Sequence, residues 1–224
     1  MPDAPIRLVA GLGNPGPKYA GTRHNAGAMA VELLAGRLGA GRWVSRYGGR
    51  FAEARGPAGP VALLIPTTYM NDSGDAVGPA AGALHAPPGR VLVLHDELDL
   101  PFGTVRGKVG GGHGGHNGLR SLVRGLGDPG FARVRLGIGR PPEGYRGDPA
   151  DWVLTRFAEP RDEVEAMVAR AADMAEAALA DGMEAAIERF HAAPAGSRAR
   201  ARGERREAAR ADAEAEAEGP EDGE

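Results

Sequence analysis

Val91-Leu92-Val93-Leu94-His95-Asp96 is the stretch that decides how this chain is read. Its apolar residues do not alternate with polar ones, so it predicts a strand covered on both faces. Asp96 stands at the exit of that strand. Working outward, Val61-Ala62-Leu63-Leu64-Ile65 is a second such strand, closed by Pro66. Ile6-Arg7-Leu8-Val9-Ala10 is a third, and it runs into Gly11-Leu12-Gly13-Asn14-Pro15-Gly16. Helical spacing returns between these strands. Residues 25–38 place Ala26, Met29, Ala30, Leu33 and Leu34 on one face, residues 73–85 read as a second helix, and Asn117-Gly118 open a third that reaches Leu126. Val134–Ile138 form a further strand, and two weak strands near 42–46 and 51–55 pair as a hairpin across Tyr47-Gly48-Gly49. Residues 97–116 read as one long glycine-rich loop. Strands alternating with helices predict an α/β domain with a mostly parallel sheet.

Pro160 suits the first turn of a helix. Val164, Met167, Val168, Ala171, Met174 and Ala175 then recur at helical spacing, and Gly182 interrupts before Met183, Ile187 and Phe190. This predicts one amphipathic helix or two, packed on the domain or used as a lid. From Ala195 the composition collapses to Ala, Arg, Glu, Asp and Gly, which cannot form a core. The division is therefore a domain over 1–194 and a disordered Ala/Arg/Glu-rich tail over 195–224. A solvated tail is a simpler reading than an RNA contact through its arginines.

The 224 residues include no cysteine. That excludes a disulfide framework, a thiolate zinc site, an iron–sulfur cluster and a cysteine nucleophile. No signal-peptide pattern opens the chain, and no run approaches the ~18 apolar residues of a membrane span. The expectation is a soluble cytoplasmic protein with no membrane partner. The net charge of −3 averages unlike parts: residues 1–150 carry 17 Arg/Lys against 11 Asp/Glu, and residues 151–194 carry 4 against 10. A basic body is compatible with a polyanionic partner.

Gly11, Gly13 and Gly16 spell G-x-G-x-x-G after a strand, the outline of a dinucleotide site. The context argues against it. Pro15 removes an amide donor, and no acidic residue follows about 20 positions on to hold a ribose. Asn14, Asn71 and Asp96 instead fall just past strand carboxyl ends, the edge along which open α/β sheets bind ligands. His24 falls at the start of the first helix, where the helix terminus disfavours the imidazolium form and helps keep a base neutral. Asp96 is the natural carboxylate to orient it. His95, the acids after it, and His113 and His116 raise the question of a metal. Their glycine-rich setting and spacing suit no preformed site, so no metal and no cofactor are expected. Lys108 adjoins Gly110–Gly115 and Arg135 follows in a strand, a pair able to clamp phosphate.

Taken together, Gly11–Gly27 (GLGNPGPKYAGTRHNAG), Pro66–Gly74 (PTTYMNDSG), His95–Pro101 (HDELDLP), Lys108–Arg120 (KVGGGHGGHNGLR) and Arg133–Gly139 (RVRLGIG) resemble bacterial peptidyl-tRNA hydrolases. The resemblance spans about Ile6 to His191 and leaves the tail outside. It implies a single α/β domain with a twisted mixed sheet between helices in α/β/α layers. It implies hydrolysis of the ester joining a peptide to the terminal ribose of tRNA, by a monomer without metal or cofactor. By position, His24 is the base that activates water, Asp96 orients it, and Asn14 holds the ester and its oxyanion. Asn71 and Asn117 hold the peptide backbone and the water, with His116 in the same substrate-binding set. Tyr19, Tyr69 and Met70 line the cleft; Tyr69 stands where phenylalanine is common. Lys108 and Arg135 meet tRNA phosphate. The chain lacks a G-x-S-x-G elbow as well as cysteine, which favours direct water attack over an acyl-enzyme. Sparing of unblocked aminoacyl-tRNA would follow from a cleft with no acidic partner for its ammonium group. The rival readings are a non-catalytic RNA-binding relative, a nucleotide-dependent enzyme and a generic esterase.

Overall fold

The computed structural model of the chain describes residues 5–192; the expected tail at 195–224 lies outside the described residues. Each buried apolar run becomes a strand: β1 (Leu8–Gly11), β4 (Gly59–Pro66), β5 (Val91–Glu97) and β7 (Ala132–Gly137). These four lie side by side and parallel in the order β4-β1-β5-β7. The hairpin forms as expected, from β2 (Val44–Arg46) and β3 (Gly49–Gly56), and extends the sheet antiparallel beyond β4. At the other edge β6 (Val105–Val109) pairs antiparallel with β7. The result is a seven-stranded mixed sheet with a parallel centre.

Side-chain alternation assigns the two faces. Val9, Leu63, Leu92 and Leu94 point to the side covered by α1 (Ala26–Arg37) and α5 (Arg161–Asp181). Leu8, Ala10, Leu64, Val91 and Val93 point to the side covered by α2 (Ser73–Ala83) and α3 (Asn117–Leu126). The three layers are thus helix, sheet, helix. Leu8, Leu63, Leu92 and Leu94 have no exposed surface, and each contributes roughly 1.5–3 kcal/mol by burial. Val164 is buried, and Met167, Val168, Ala171, Met174 and Ala175 join the first of these cores, so α5 packs on the domain rather than serving as a lid. Gly182 separates it from α6 (Met183–Ala192). Among the described residues no helix is long and apolar enough to cross a membrane.

Two elements depart from the expected pattern. The loop expected over 97–116 contains β6, whose sequence Val-Arg-Gly-Lys-Val is too polar to announce a strand. A short helix, α4 (Pro149–Val153), follows Asp148, whose side chain caps it by accepting from the Ala150 amide at 2.8 Å.

Gly27 sets the height of α1 against the sheet. A Cβ there would collide with the Leu94 carbonyl oxygen and approach His95 Cα to 3.0 Å. Only glycine lets the start of α1 lie against the end of β5. Gly27→Ala is expected to destabilise the fold by about 1–3 kcal/mol, as overpacking does. The check is a urea titration: the midpoint falls at unchanged slope, whereas an unmoved midpoint would mean that α1 is free to shift.

Candidate active site

The carboxyl ends of β1, β4 and β5 open on a cleft of about 580 Å³. Asn14, Tyr19, His24, Tyr69, Met70, Asn71, Asp96, His116 and Asn117 all line it. Lys108 and Arg135 are not among its lining residues.

His24 lies in a 3-10 turn, Arg23–Asn25, directly before α1. The turn is buried, and Gly27 holds it against β5, so His24 meets Asp96 from the facing strand end. His24 Nδ1 is 2.9 Å from each carboxylate oxygen of Asp96. A carboxylate only accepts, so Nδ1 carries the proton and Nε2 keeps its lone pair. His116 completes the arrangement. It is the N-cap of α3, and its Nδ1 accepts from the amides of Gly118 at 3.1 Å and Leu119 at 3.4 Å. Its proton therefore sits on Nε2, which donates to Asp96 Oδ1 at 3.0 Å. One buried carboxylate thus receives N–H groups from two imidazoles.

Burial pushes the His24 imidazole toward the neutral form, but the Asp96 charge and hydrogen bond outweigh it. His24 is held above its ordinary value. The Asp96 carboxylate, not the expected helix terminus, therefore sets the balance. Burial likewise opposes ionisation of Asp96, and His24 and His116 together overcome it, holding the carboxyl well below the usual carboxylate range. His95 points to the other side of β5. Burial above all, with His116 beside it, pushes it down to about 3, so it is neutral. Its Nδ1–H donates to the Asp96 backbone carbonyl at 2.6 Å.

Asn14 is oriented by its neighbours. Its backbone amide donates to Asn25 Oδ1 and its carbonyl accepts from Asn25 Nδ2, both at 2.9 Å. Its side-chain Oδ1 accepts from the Met70 amide at 2.8 Å. The Nδ2 end is the one left to donate into the cleft. Met70 is buried at the floor, while Tyr69 is 58% exposed at the mouth. Asn71 is exposed and donates to Asp72 Oδ1 at 3.0 Å. Asn117 opens α3 and its Oδ1 accepts from Arg120 at 3.1 Å.

The two basic residues sit beside the cleft on the β6–β7 edge. Lys108 is exposed and lies opposite Arg133, two places along from Arg135, so it and Arg135 share one face of the sheet. Arg135 faces Glu97, which lines the cleft, at 3.7 Å. Glu97 and Asp148 both line the cleft as well.

Several neighbours escaped the sequence reading. Buried Arg133 holds the glycine loop by donating to the carbonyls of Gly111 at 2.5 Å and Gly112 at 2.7 Å. His113 of that loop lines the cleft, as do Asp148, Ala150, Val153 and Leu154. The Asp148-Pro149 pair is a helix-start signal that could have drawn attention to that segment. In donor count, His24, Asp96 and His116 could hold a metal, their ligand atoms lying within 4.8 Å of one another. An ion would have to displace both N–H protons now directed at Asp96, so the residues present fit a hydrogen-bond network better than a metal centre.

The sequence profile of the peptidyl-tRNA hydrolase family matches residues 8–199. The chain belongs to the peptidyl-tRNA hydrolase family. Peptidyl-tRNA hydrolases of Mycolicibacterium smegmatis and Sorangium cellulosum are each 50% identical to it, over 187 and 186 residues. Those matches cover 83% of this chain and 97% and 81% of theirs. The crystal structure of the peptidyl-tRNA hydrolase of Acinetobacter baumannii superposes with a TM-score of 0.74 at 39% identity, covering 86% of this chain and 96% of that one. A peptidyl-tRNA hydrolase crystallised with n-propanol gives 0.75 at 38% identity, covering 84% and 95%. Membership of the peptidyl-tRNA hydrolase family makes the chain a hydrolase of the α/β class. The dinucleotide reading of Gly11–Gly16 lapses with it.

Proposed function

We propose that this chain cleaves the ester between a peptide and the 3′-terminal ribose of tRNA by direct attack of a water that His24 activates. The observation that carries the proposal is the buried His24–Asp96 contact. It holds the proton on Nδ1 and leaves Nε2 basic in the same cleft as Asn14. In the attack, Nε2 takes the water proton while the Asp96 charge stabilises the imidazolium that forms. The negative charge on the carbonyl oxygen is met by the Asn14 amide, a contribution worth about 10²–10³-fold for a well-placed donor. The protonated His24 then returns its proton to the departing ribose oxygen. An ester leaves readily enough that no covalent intermediate is required.

Asn71 and Asn117 line the cleft as donors and acceptors for peptide backbone and water, with Tyr19 and Tyr69 as its apolar rim. His116 acts in this reading by holding Asp96 rather than by touching substrate, because both its ring nitrogens are engaged. Lys108 and Arg135 meet tRNA phosphate outside the cleft, giving affinity without sequence reading. The protein works as a monomer in the cytoplasm, where translation supplies its substrate.

The deciding experiment compares N-acetyl-aminoacyl-tRNA with the unblocked aminoacyl-tRNA, in EDTA, for wild type and His24→Ala. Rapid cleavage of the blocked substrate alone, lost in the variant, supports the reading. Retained tRNA binding without hydrolysis would make the chain a non-catalytic RNA-binding relative, and cleavage stopped by EDTA would bring the metal back. Lys108→Ala and Arg135→Ala are each expected to raise KM and to reduce the slope of log KM on log salt concentration by about one. Unchanged slopes in both would remove them from the phosphate contacts.

A further inference from the structure

Arg23 immediately precedes His24 in the same 3-10 turn and is 1% exposed. Its guanidinium is engaged on three sides. NH2 donates to both oxygens of Glu159, each at 2.9 Å. NH1 donates to the Arg156 carbonyl at 2.5 Å. Its central carbon, Cζ, lies over the Trp152 ring, 4.1 Å from the ring centre, and 5.1 Å from the centre of the Phe157 ring. The backbone of the turn joins in: the Arg23 amide donates to the Thr155 carbonyl at 3.0 Å, and Thr22 pairs with Arg156 as an isolated bridge. All these partners belong to 152–159, whose neighbouring residues Asp148, Ala150, Val153 and Leu154 form one wall of the cleft.

We infer that Arg23 is a positioning residue: it docks the 148–159 wall onto the turn that carries His24. The wall and the base are thereby set at one distance from each other. This rests on the assignment of His24 as the base. Beside Arg23, the wall is held by Val153 and Phe157 against the core and by Trp152 Nε1 donating to the Gly139 carbonyl at 2.9 Å; α4 itself is five residues long and Leu154 is 40% exposed. A buried guanidinium is always charged, so it needs Glu159 beside it; a planar group that sends NH2 to Glu159 and NH1 to the Arg156 carbonyl while lying over a ring is a geometry that lysine cannot copy.

The mild disruption is Glu159→Gln, which keeps a carbonyl oxygen for Arg23 but removes the charge. The second is Arg23→Lys, which keeps the charge but loses the separate donor to the Arg156 carbonyl and the planar group over Trp152. Both are assayed with N-acetyl-aminoacyl-tRNA. A loosened wall weakens substrate binding while leaving the His24–Asp96 contact in place. KM is expected to rise about three- to tenfold with kcat within twofold. The independent readout is acrylamide quenching of Trp152 in a Trp43→Phe background, Trp43 being the other tryptophan. Trp152 should become more accessible in both variants, whether or not the chain hydrolyses peptidyl-tRNA. Unchanged quenching overturns the docking role. A fall in kcat at constant KM, with unfolding midpoints lowered, would assign Arg23 to bulk stability and likewise overturn it. Absence of hydrolysis in the Trp43→Phe parent would instead refute the proposed function while the quenching result still judges the dock.

Discussion

His24→Ala is expected to lower kcat for N-acetyl-aminoacyl-tRNA by about 10²–10⁴-fold, the usual contribution of a general base. tRNA binding should change by less than about threefold, because the phosphate contacts proposed for Lys108 and Arg135 lie outside the cleft. The fold should survive. The substitution takes one N–H donor from a buried carboxylate, but Asp96 keeps the His116 donor at 3.0 Å, so the charge is not stranded. Loss of catalysis with retained binding therefore reports on chemistry rather than on collapse. The check is single-turnover hydrolysis beside a filter-binding titration with uncleaved tRNA. A variant keeping more than about a tenth of the wild-type kcat would remove His24 from the base role.

The sheet was legible because its central strands are covered on both faces and carry uninterrupted apolar runs. β6 was not, because Arg106 and Lys108 occupy one of its faces and on the other Gly107 offers no apolar side chain but leaves room for Met183 and Ile187 to pack. The cleft residues were legible as a set because three strand ends converge on one edge, and long motifs follow each of them. Contacts between motifs were not. That His24 reaches Asp96 depends on Gly27 letting α1 approach β5, a steric fact without a sequence signal of its own. His116 read as a substrate contact, yet its Nδ1 caps α3 and its Nε2 donates to Asp96. Nothing in the Arg133–Gly139 motif marks Arg133 as buried. Its burial beneath the glycine loop is decided by partners about twenty residues away.

Asp96→Asn isolates the charge of the dyad from its geometry. Asp96 Oδ1 accepts both from His24 Nδ1 at 2.9 Å and from His116 Nε2 at 3.0 Å. The side-chain oxygen of an asparagine can occupy that shared place and accept from both rings, while its Nδ2, in place of Oδ2, no longer accepts from His24 Nδ1. What disappears is the negative charge that stabilises the imidazolium as water attacks. kcat is expected to fall by about 10²–10⁴-fold with KM within about threefold. The pH profile makes the test sharper. The base works in its neutral form, so activity is lost as pH falls through the His24 value. In the wild type Asp96 holds that value above about 6.5, and the acid limb of kcat/KM lies correspondingly high. Without the carboxylate, burial remains and acts in the opposite direction. His95 shows that direction: buried without a hydrogen bond to a carboxylate, it sits at about 3. The acid limb of the variant should therefore move to lower pH even as the plateau drops. An acid limb that stays in place would mean that His24 does not titrate in contact with Asp96, and an unchanged kcat would dissolve the dyad altogether.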